Sequence, residues 1–364
     1  MFTQTLATPR TRFGARLLAL LAGPHGVDRY TELVHPMWTS EDRATVVRVQ
    51  RSTPRSVTLW LQPNHGPAGR SAAFRAGQYV TVTVEIDGRR QSRCYSPANA
   101  EGVHLIELTI ARHDGGLVSE FLYRSARPGM TVGLSAPAGD FVLPETRPRR
   151  LLLIAGGSGI TPVMSMVRTL VEQDRYVPQG GLRPCGDITV LHYVRTLDDA
   201  CFRGQLTMLS GVRTLYACTR DTRGDLRGHL DELHLAAAMP DPDAVYVCGP
   251  PALVDAVRRY HPAAVAESFA PASPAIPDSP GGGRITFSDS RIEADDDGRP
   301  LLDQAESAGL RPASGCRMGI CHTCTRRKVR GVVRNLTTGA VSTADDDAVQ
   351  ICVSVPVGDV DIAL

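Results

Sequence analysis

Lysine is scarce in this 364-residue chain, arginine carries nearly all the positive charge, and the formal net charge is only +2. So small an excess gives no electrostatic footprint for nucleic acid, and no DNA-reading motif accompanies it. Long hydrophobic runs are also missing near the N-terminus. The longest there, 17–22, falls far short of the roughly 20 apolar residues a bilayer requires. It has no convincing cleavage site, which speaks against a signal peptide and for a cytoplasmic protein. There is no internal repeat. No haem motif and no di-iron carboxylate–histidine set appears, which argues against a terminal oxygenase.

What is present divides the chain into segments, and its length suits two to three domains. Residues 1–40 form an extension in which Arg10, Arg12 and Arg16 flank Leu17, Leu18, Leu20 and Leu21. That is the pattern of a basic amphipathic helix, which either packs on the body of the protein or meets a membrane surface or partner. Residues 41–147 read as β: 45–50, 56–61, 78–86 and 104–111 are rich in Val, Thr, Ile and Leu, with turns such as Ile86-Asp87-Gly88-Arg89 between them. Short strands separated by turns predict a small barrel. Residues 148–270 alternate apolar strands (151–155, 188–194, 214–218, 245–248) with helical segments such as 162–173, as a doubly wound α/β sheet does. Residues 271–283, PASPAIPDSPGGG, read as a linker, and 284–364 as a compact third unit.

The nine cysteines fall into two sets. Cys94, Cys185, Cys201, Cys218 and Cys248 are scattered, as buried thiols are. Cys316, Cys321, Cys324 and Cys352 follow C-x4-C-x2-C…C, the plant-type [2Fe–2S] spacing, which needs four thiolates, three from one tight loop and a fourth that closes the cage. Gly315 and Gly319 let the loop backbone approach the sulfurs. Structural zinc would want a second C-x2-C pair, and Cys321 and Cys324 supply only one. His322 invites a Rieske-type reading, but four cysteines already complete the set. This region resembles plant-type ferredoxins over about 80 residues, which implies an α+β β-grasp fold with a helix at 301–308 and the cluster loop at 312–324. The loop is basic (Arg317, Arg326, Arg327, Lys328, Arg330), either as solvated surface or as a docking patch for an acidic partner.

Arg93-Cys94-Tyr95-Ser96 sits just after an apparent strand and resembles the R-x-Y-S motif of the ferredoxin–NADP reductase superfamily. The resemblance implies a flavin whose phosphate meets Arg93, whose ring meets Tyr95, and whose N5 faces the Ser96 hydroxyl. Gly115-Gly116-Leu117-Val118-Ser119 resembles the family's second phosphate segment, in which Gly116, Val118 and Ser119 open a helix toward a pyrophosphate. That segment favours FAD over FMN. Gly139 and Phe141 resemble the family's barrel exit.

Ala155-Gly156-Gly157-Ser158-Gly159-Ile160-Thr161-Pro162 departs from the usual dinucleotide fingerprint G-x-G-x-x-G but matches the same family's nucleotide loop. Gly156, Gly157, Gly159, Thr161 and Pro162 would face a dinucleotide at a helix N-terminus. Cys248-Gly249-Pro250 resembles the family's C-G-P motif, with Cys248 beside the nicotinamide, and Glu267-Ser268-Phe269 its E-x-F terminus, with Phe269 at the flavin face and Glu267 at its edge. Ser96, Cys248 and Glu267 are thus the candidate catalytic residues. Arg195 and Arg220 favour the 2′-phosphate of NADPH, whereas Asp198 and Asp199 speak for NADH.

The order barrel, nucleotide domain, ferredoxin resembles reductases serving membrane acyl-CoA desaturases and oxygenases. It implies electron flow from NAD(P)H through flavin and cluster to a separate acceptor protein, with peripheral membrane association through the extension or that partner. The extension and composition tilt the resemblance toward fatty acid desaturation, with a ring-hydroxylating or other oxygenase as the alternative. A redox-sensing binding protein is the reading from a different class.

Overall fold

The computed structural model describes residues 43–64, 73–175, 186–268, 282–315, 317, 319 and 322–364. The N-terminal extension, most of the expected linker, Cys185, Phe269, Cys316 and Cys321 lie outside the described residues.

The first sheet contains β1 (Arg43–Thr53), β2 (Ser56–Pro63), β3 (Val80–Ile86), β4 (Arg89–Tyr95), β5 (Ile106–Ala111) and β6 (Thr131–Leu134), in the order β4-β3-β6-β1-β2-β5. Alternation puts Val80, Val82 and Val84 of β3 into the core with Leu59, Leu61, Leu108 and Ile110. A Pro97–Leu108 bridge carries the chain from the end of β4 to β5 and closes the barrel. Asp87 and Gly88, with φ of 51° and 71°, form the two-residue turn that pairs β3 with β4. The sequence marks this turn but not the strand after it. Arg93, Cys94 and Tyr95 therefore lie within β4, not beyond a strand. Helix α1 (Leu117–Ser125) buries Val118 and Leu122 against the barrel.

The second sheet contains β7 (Arg150–Gly156), β8 (Asp187–Val194), β9 (Val212–Cys218), β10 (Leu226–Arg227), β11 (Ala244–Cys248) and β12 (Val265–Glu267), ordered β10-β9-β8-β7-β11-β12 and all parallel. Helices α2 (Ile160–Arg175), α3 (Arg203–Met208), α4 (Glu232–Ala238) and α5 (Pro251–Tyr260) intervene. The apolar run 151–155 is buried on both faces, Leu151 and Leu153 in one core and Leu152 and Ile154 in another. Helix α2 also fastens this unit to the barrel. Ser165 Oγ donates to the Asn99 carbonyl at 2.7 Å, Arg168 reaches the Ala98 carbonyl at 2.6 Å and Glu107 at 3.1 Å, and Thr169 Oγ1 accepts the Glu101 N–H at 3.1 Å.

The third sheet contains β13 (Arg284–Phe287), β14 (Ile292–Asp295), β15 (Thr325–Asn335), β16 (Val341–Ser342), β17 (Asp347–Gln350) and β18 (Ser354–Ile362). Helix α6 (Leu301–Ser307) packs Leu301, Leu302 and Ala305 against Phe287, Ile351 and Ile362. The mixed sheet with one helix is the α+β unit that the sequence implies.

Candidate functional site

A cavity of about 490 Å³ lies where the barrel meets the carboxyl ends of β7 and β11. Arg93, Tyr95 and Ser96 from the end of β4, and Gly116, Val118 and Ser119 from the start of α1, line one side. Gly156, Gly159, Thr161 and Gly249 line the other. Both phosphate-type motifs and both nucleotide-domain motifs thus meet at one place. In open α/β sheets the carboxyl edge is where ligands bind.

Ser96 is 1% exposed, and its Oγ has no hydrogen-bond partner among the described residues. A buried hydroxyl without a partner is costly unless a ligand completes it, so this atom suits a bound ring nitrogen. Burial raises the Tyr95 phenol above its ordinary value, opposed by Arg93, and keeps it neutral. Gly116 caps α1, and a Cβ there would lie 2.6 Å from Ser119 Oγ. Ser119 accepts the His113 N–H at 3.2 Å and donates to the Gly116 carbonyl at 3.1 Å. This holds the loop closed on itself and leaves the first-turn amides of α1 for an anion. Arg93 Nη1 donates to the Ser92 carbonyl at 2.7 Å and, across the molecule, to the Gly315 carbonyl at 3.2 Å.

All three glycines of the nucleotide loop line the cavity or the groove beyond it, and two of them also meet backbone closely. A Cβ on Gly159 would stand 2.0 Å from the Cys248 carbonyl oxygen, and one on Gly156 would stand 2.6 Å from Pro250 Cδ. These two glycines interlock the loop with the Cys248-Gly249-Pro250 turn. Gly157 alone has positive φ, 55°, with open space where its side chain would be. Its carbonyl is held at 3.1 Å by His192 Nε2. Burial lowers His192 to about 4, so the ring is neutral and donates from Nε2. A lone histidine in an apolar strand carries no motif, and only the adjacency of β8 and β7 could have suggested it.

Cys248 and Glu267 are register neighbours on β11 and β12. Burial, with the nearby Glu267, raises the Cys248 thiol well above its ordinary value, so it is no thiolate nucleophile. Burial pushes Glu267 up to about 8, and its Oε2 is buried without a hydrogen-bond partner among the described residues.

A second groove of about 580 Å³ continues from the first along the ends of β8 and β9. His113, Gly156, Ser158 and Pro250 line both cavities. Arg195, Thr219, His229 and Arg259 line the groove from the α/β side, and Arg55, Ser56 and Arg112 from the barrel. Arg220 is not among the lining residues. It follows Thr219 in the bend after β9, and Thr219 is the residue of that bend that lines the groove. Asp198 is bound by Arg223 at 2.9 Å, Arg223 also binds Asp221 at 2.7 Å, and Asp199 accepts the Thr196 hydroxyl at 2.9 Å. The acids near Arg195 therefore already have partners.

In the third unit Cys324 and Cys352 are buried, and Gln350 ties the cluster loop by donating to the Gly319 carbonyl at 2.6 Å. Arg317, Gly319 and His322 all have positive φ, the backbone of a tight loop. Much of the basic run is spent internally. Arg317 pairs with Asp303 at 3.5 Å and with Glu306, Arg327 pairs with Asp346 at 2.5 Å, and Arg326 donates to the carbonyls of Ala313 and Thr325. Lys328 is fully buried, with Nζ 2.7 Å from the Gly331 carbonyl. Among the described residues no helix is long and apolar enough to cross a membrane.

Three domain families match in order: the oxidoreductase FAD-binding domain at 67–143, the oxidoreductase NAD-binding domain at 153–259 and the 2Fe-2S iron-sulfur cluster binding domain at 285–357. The chain is 33% identical over 359 residues to an NADPH oxidoreductase of Mycobacterium tuberculosis, spanning 94% of this chain and 90% of that one. It is 28% identical to the glycine betaine monooxygenase reductase subunit of Pseudomonas aeruginosa, over 79% of this chain and 86% of that one. Among solved structures, phthalate dioxygenase reductase shares the fold with a TM-score of 0.59 at 24% identity, over 88% of this chain and 97% of that one.

Proposed function

We propose, from the premise that this chain belongs to the ferredoxin–NADP reductase-type oxidoreductases with a C-terminal [2Fe–2S] ferredoxin domain, that it is the reductase component of a system whose terminal member is a separate oxygenase. As a member of that family it moves electrons from NAD(P)H through FAD to a [2Fe–2S] cluster. A bound flavin would supply the conversion between two-electron hydride transfer and single-electron transfer that this route needs.

The chain's own residues orient these groups. Arg93 and the first-turn amides of α1 hold the flavin pyrophosphate, and Ser96 Oγ supplies the hydrogen bond for which the ring nitrogen is the missing partner. Tyr95 packs on the ring. Gly157 gives the dinucleotide its close approach, with Thr161 and Pro162 at the start of α2. Cys248, neutral and buried, walls the nicotinamide side, Gly249 keeps that turn tight, and Glu267 holds a proton at neutral pH. Phe269 belongs to the flavin face by family likeness. Cys316, Cys321, Cys324 and Cys352 hold the cluster. NADPH is the favoured donor, because Arg55, Arg112, Arg195 and Arg259 line the groove against the single acid Asp199, while Asp198 is not among the lining residues and pairs with Arg223. Arg220 contributes charge nearby.

The observation that carries the reading is the meeting of three parts: the cavity at Ser96 opens into the nucleotide groove, and Arg93 on its wall touches the cluster loop. An oxygenase acceptor is supported by the relative named as a monooxygenase reductase subunit. A fatty acyl desaturase is the second reading, favoured by the N-terminal extension, which would also bring the protein to a membrane surface. The deciding experiment supplies the purified reductase and NADPH to a purified oxygenase, and separately to a membrane desaturase. Product formation stoichiometric with NADPH in one of the two identifies the class. NADPH oxidation that yields only peroxide with both overturns the proposal.

A further inference from the structure

We propose that Arg93 is also a positioning residue for the ferredoxin unit, fastening the cluster loop to the wall of the flavin cavity through the carbonyl of Gly315. The inference rests on the reading of that cavity as the flavin site.

Arg93 lies in β4, two residues before its end, and lines the cavity. Its Nη1 donates to the carbonyls of Ser92, on its own strand, and of Gly315, in the third unit. Gly315 directly precedes the cluster cysteine Cys316 in sequence and is buried. The surrounding segment is braced onto its own unit. Arg326 Nη2 holds the Ala313 carbonyl at 3.2 Å, and Arg317 binds Asp303 and Glu306 on α6. A hold on Gly315 is therefore a hold on the whole ferredoxin unit.

The guanidinium is suited to both duties. It presents five N–H groups in a rigid plane, so Nη1 can serve two carbonyls while Nε and Nη2 face a phosphate. An anion on that edge fixes the plane and so fixes the direction of Nη1, which couples flavin binding to docking of the cluster loop. Lysine offers three donors from one flexible point and cannot hold that arrangement. The step served is the passage of one electron from reduced flavin to one ferric iron of the cluster, which becomes ferrous while the flavin is oxidised by one electron. A single hydrogen bond to a neutral carbonyl is weak enough to release the unit toward an external acceptor.

The test is hydrogen–deuterium exchange on the full, FAD- and cluster-loaded chain, comparing the parent protein with Arg93→Lys and Arg93→Gln. FAD and iron content are measured, and the two electron-transfer steps are timed by rapid mixing with NADPH. The expected result is exchange at 311–319 raised several-fold in both variants, with 325–335 unchanged. The flavin-to-cluster step should slow at least ten-fold more than the NADPH-to-flavin step. Unchanged exchange at 311–319 in both variants overturns the proposal. Should a variant lose FAD, the comparison is made against FAD-stripped parent protein. Arg93→Gln still exchanging faster at 311–319 supports docking, and equal exchange overturns it. Raised exchange with full FAD retention keeps the docking role and contradicts the phosphate role instead.

Discussion

A methyl group on Gly159 would lie 2.0 Å from the carbonyl oxygen of Cys248. No rotamer relieves that clash, because both partners are backbone, so the nucleotide loop and the C-G-P turn fit together only with glycine here. Gly159→Ala should lower NADPH-dependent flavin reduction by about 100-fold or more, because overpacking displaces the loop that aims the nicotinamide. Dithionite should still reduce both cofactors. Gly157→Ala, strained in φ but facing open space, should cost about 1 kcal/mol and a much smaller loss of rate. Rapid-mixing kinetics on the two variants checks the contrast.

Glu267 sits with its carboxyl pushed up to about 8 by burial, from an ordinary 4.5. Between those values the folded protein holds a proton that the unfolded chain has released, so this group's effect is to lower stability as pH rises through the window, levelling above it. Glu267→Gln should therefore raise the thermal midpoint at pH 8.5 and change it little at pH 4.5. The pH profile of flavin reduction should lose its inflection near 8. Calorimetry and stopped-flow kinetics across pH check both, and an unchanged inflection would show that another group titrates there.

Arg223 holds Asp198 at 2.9 Å, beside the groove that Arg195 lines. Arg223→Ala frees an acid near the ribose site and should lower the ratio of kcat/KM for NADPH over NADH about ten-fold, roughly 1.4 kcal/mol. Arg195→Ala should lower the same ratio by removing the cation. Steady-state kinetics with both nucleotides reads the change, and an unaltered ratio in both variants removes this region from nucleotide choice.

Lys328 is fully buried, donating to the carbonyls of Gly331 and Ala344. Lys328→Met keeps the stem and strands both carbonyls, and should cost about 2–4 kcal/mol of ferredoxin-unit stability. In the native protein an amine-acylating reagent should leave Lys328 untouched and reach it only in denaturant. Mass spectrometry of the labelled peptides decides this.

Much of the fold was legible because the signals were local. Buried parallel strands appear as unbroken apolar runs such as 151–155, and the Asp87-Gly88 turn announces a hairpin. Strand β4 escaped because RRQSRCY carries three arginines and no β-branched residue, and its strand state comes from pairing with β3. Helix α2 begins at Ile160, two residues before the proline that marks it in sequence. The site motifs were legible one by one. What holds them together was not: the support of Gly157 by His192, the register of Cys248 with Glu267 and the reach of Arg93 to Gly315 are long-range. The basic run likewise looks free in sequence because Asp303, Glu306 and Asp346 lie elsewhere along the chain.

The most direct test of electron flow through all three units is an anaerobic titration of the purified protein with NADPH, followed by visible absorption and electron paramagnetic resonance. Loss of the flavin and iron–sulfur absorption together, with the spin signal of a reduced [2Fe–2S] cluster, is the expected result. Flavin that bleaches fully beside a cluster that only dithionite reduces, or beside cysteines that hold no iron, would contradict it.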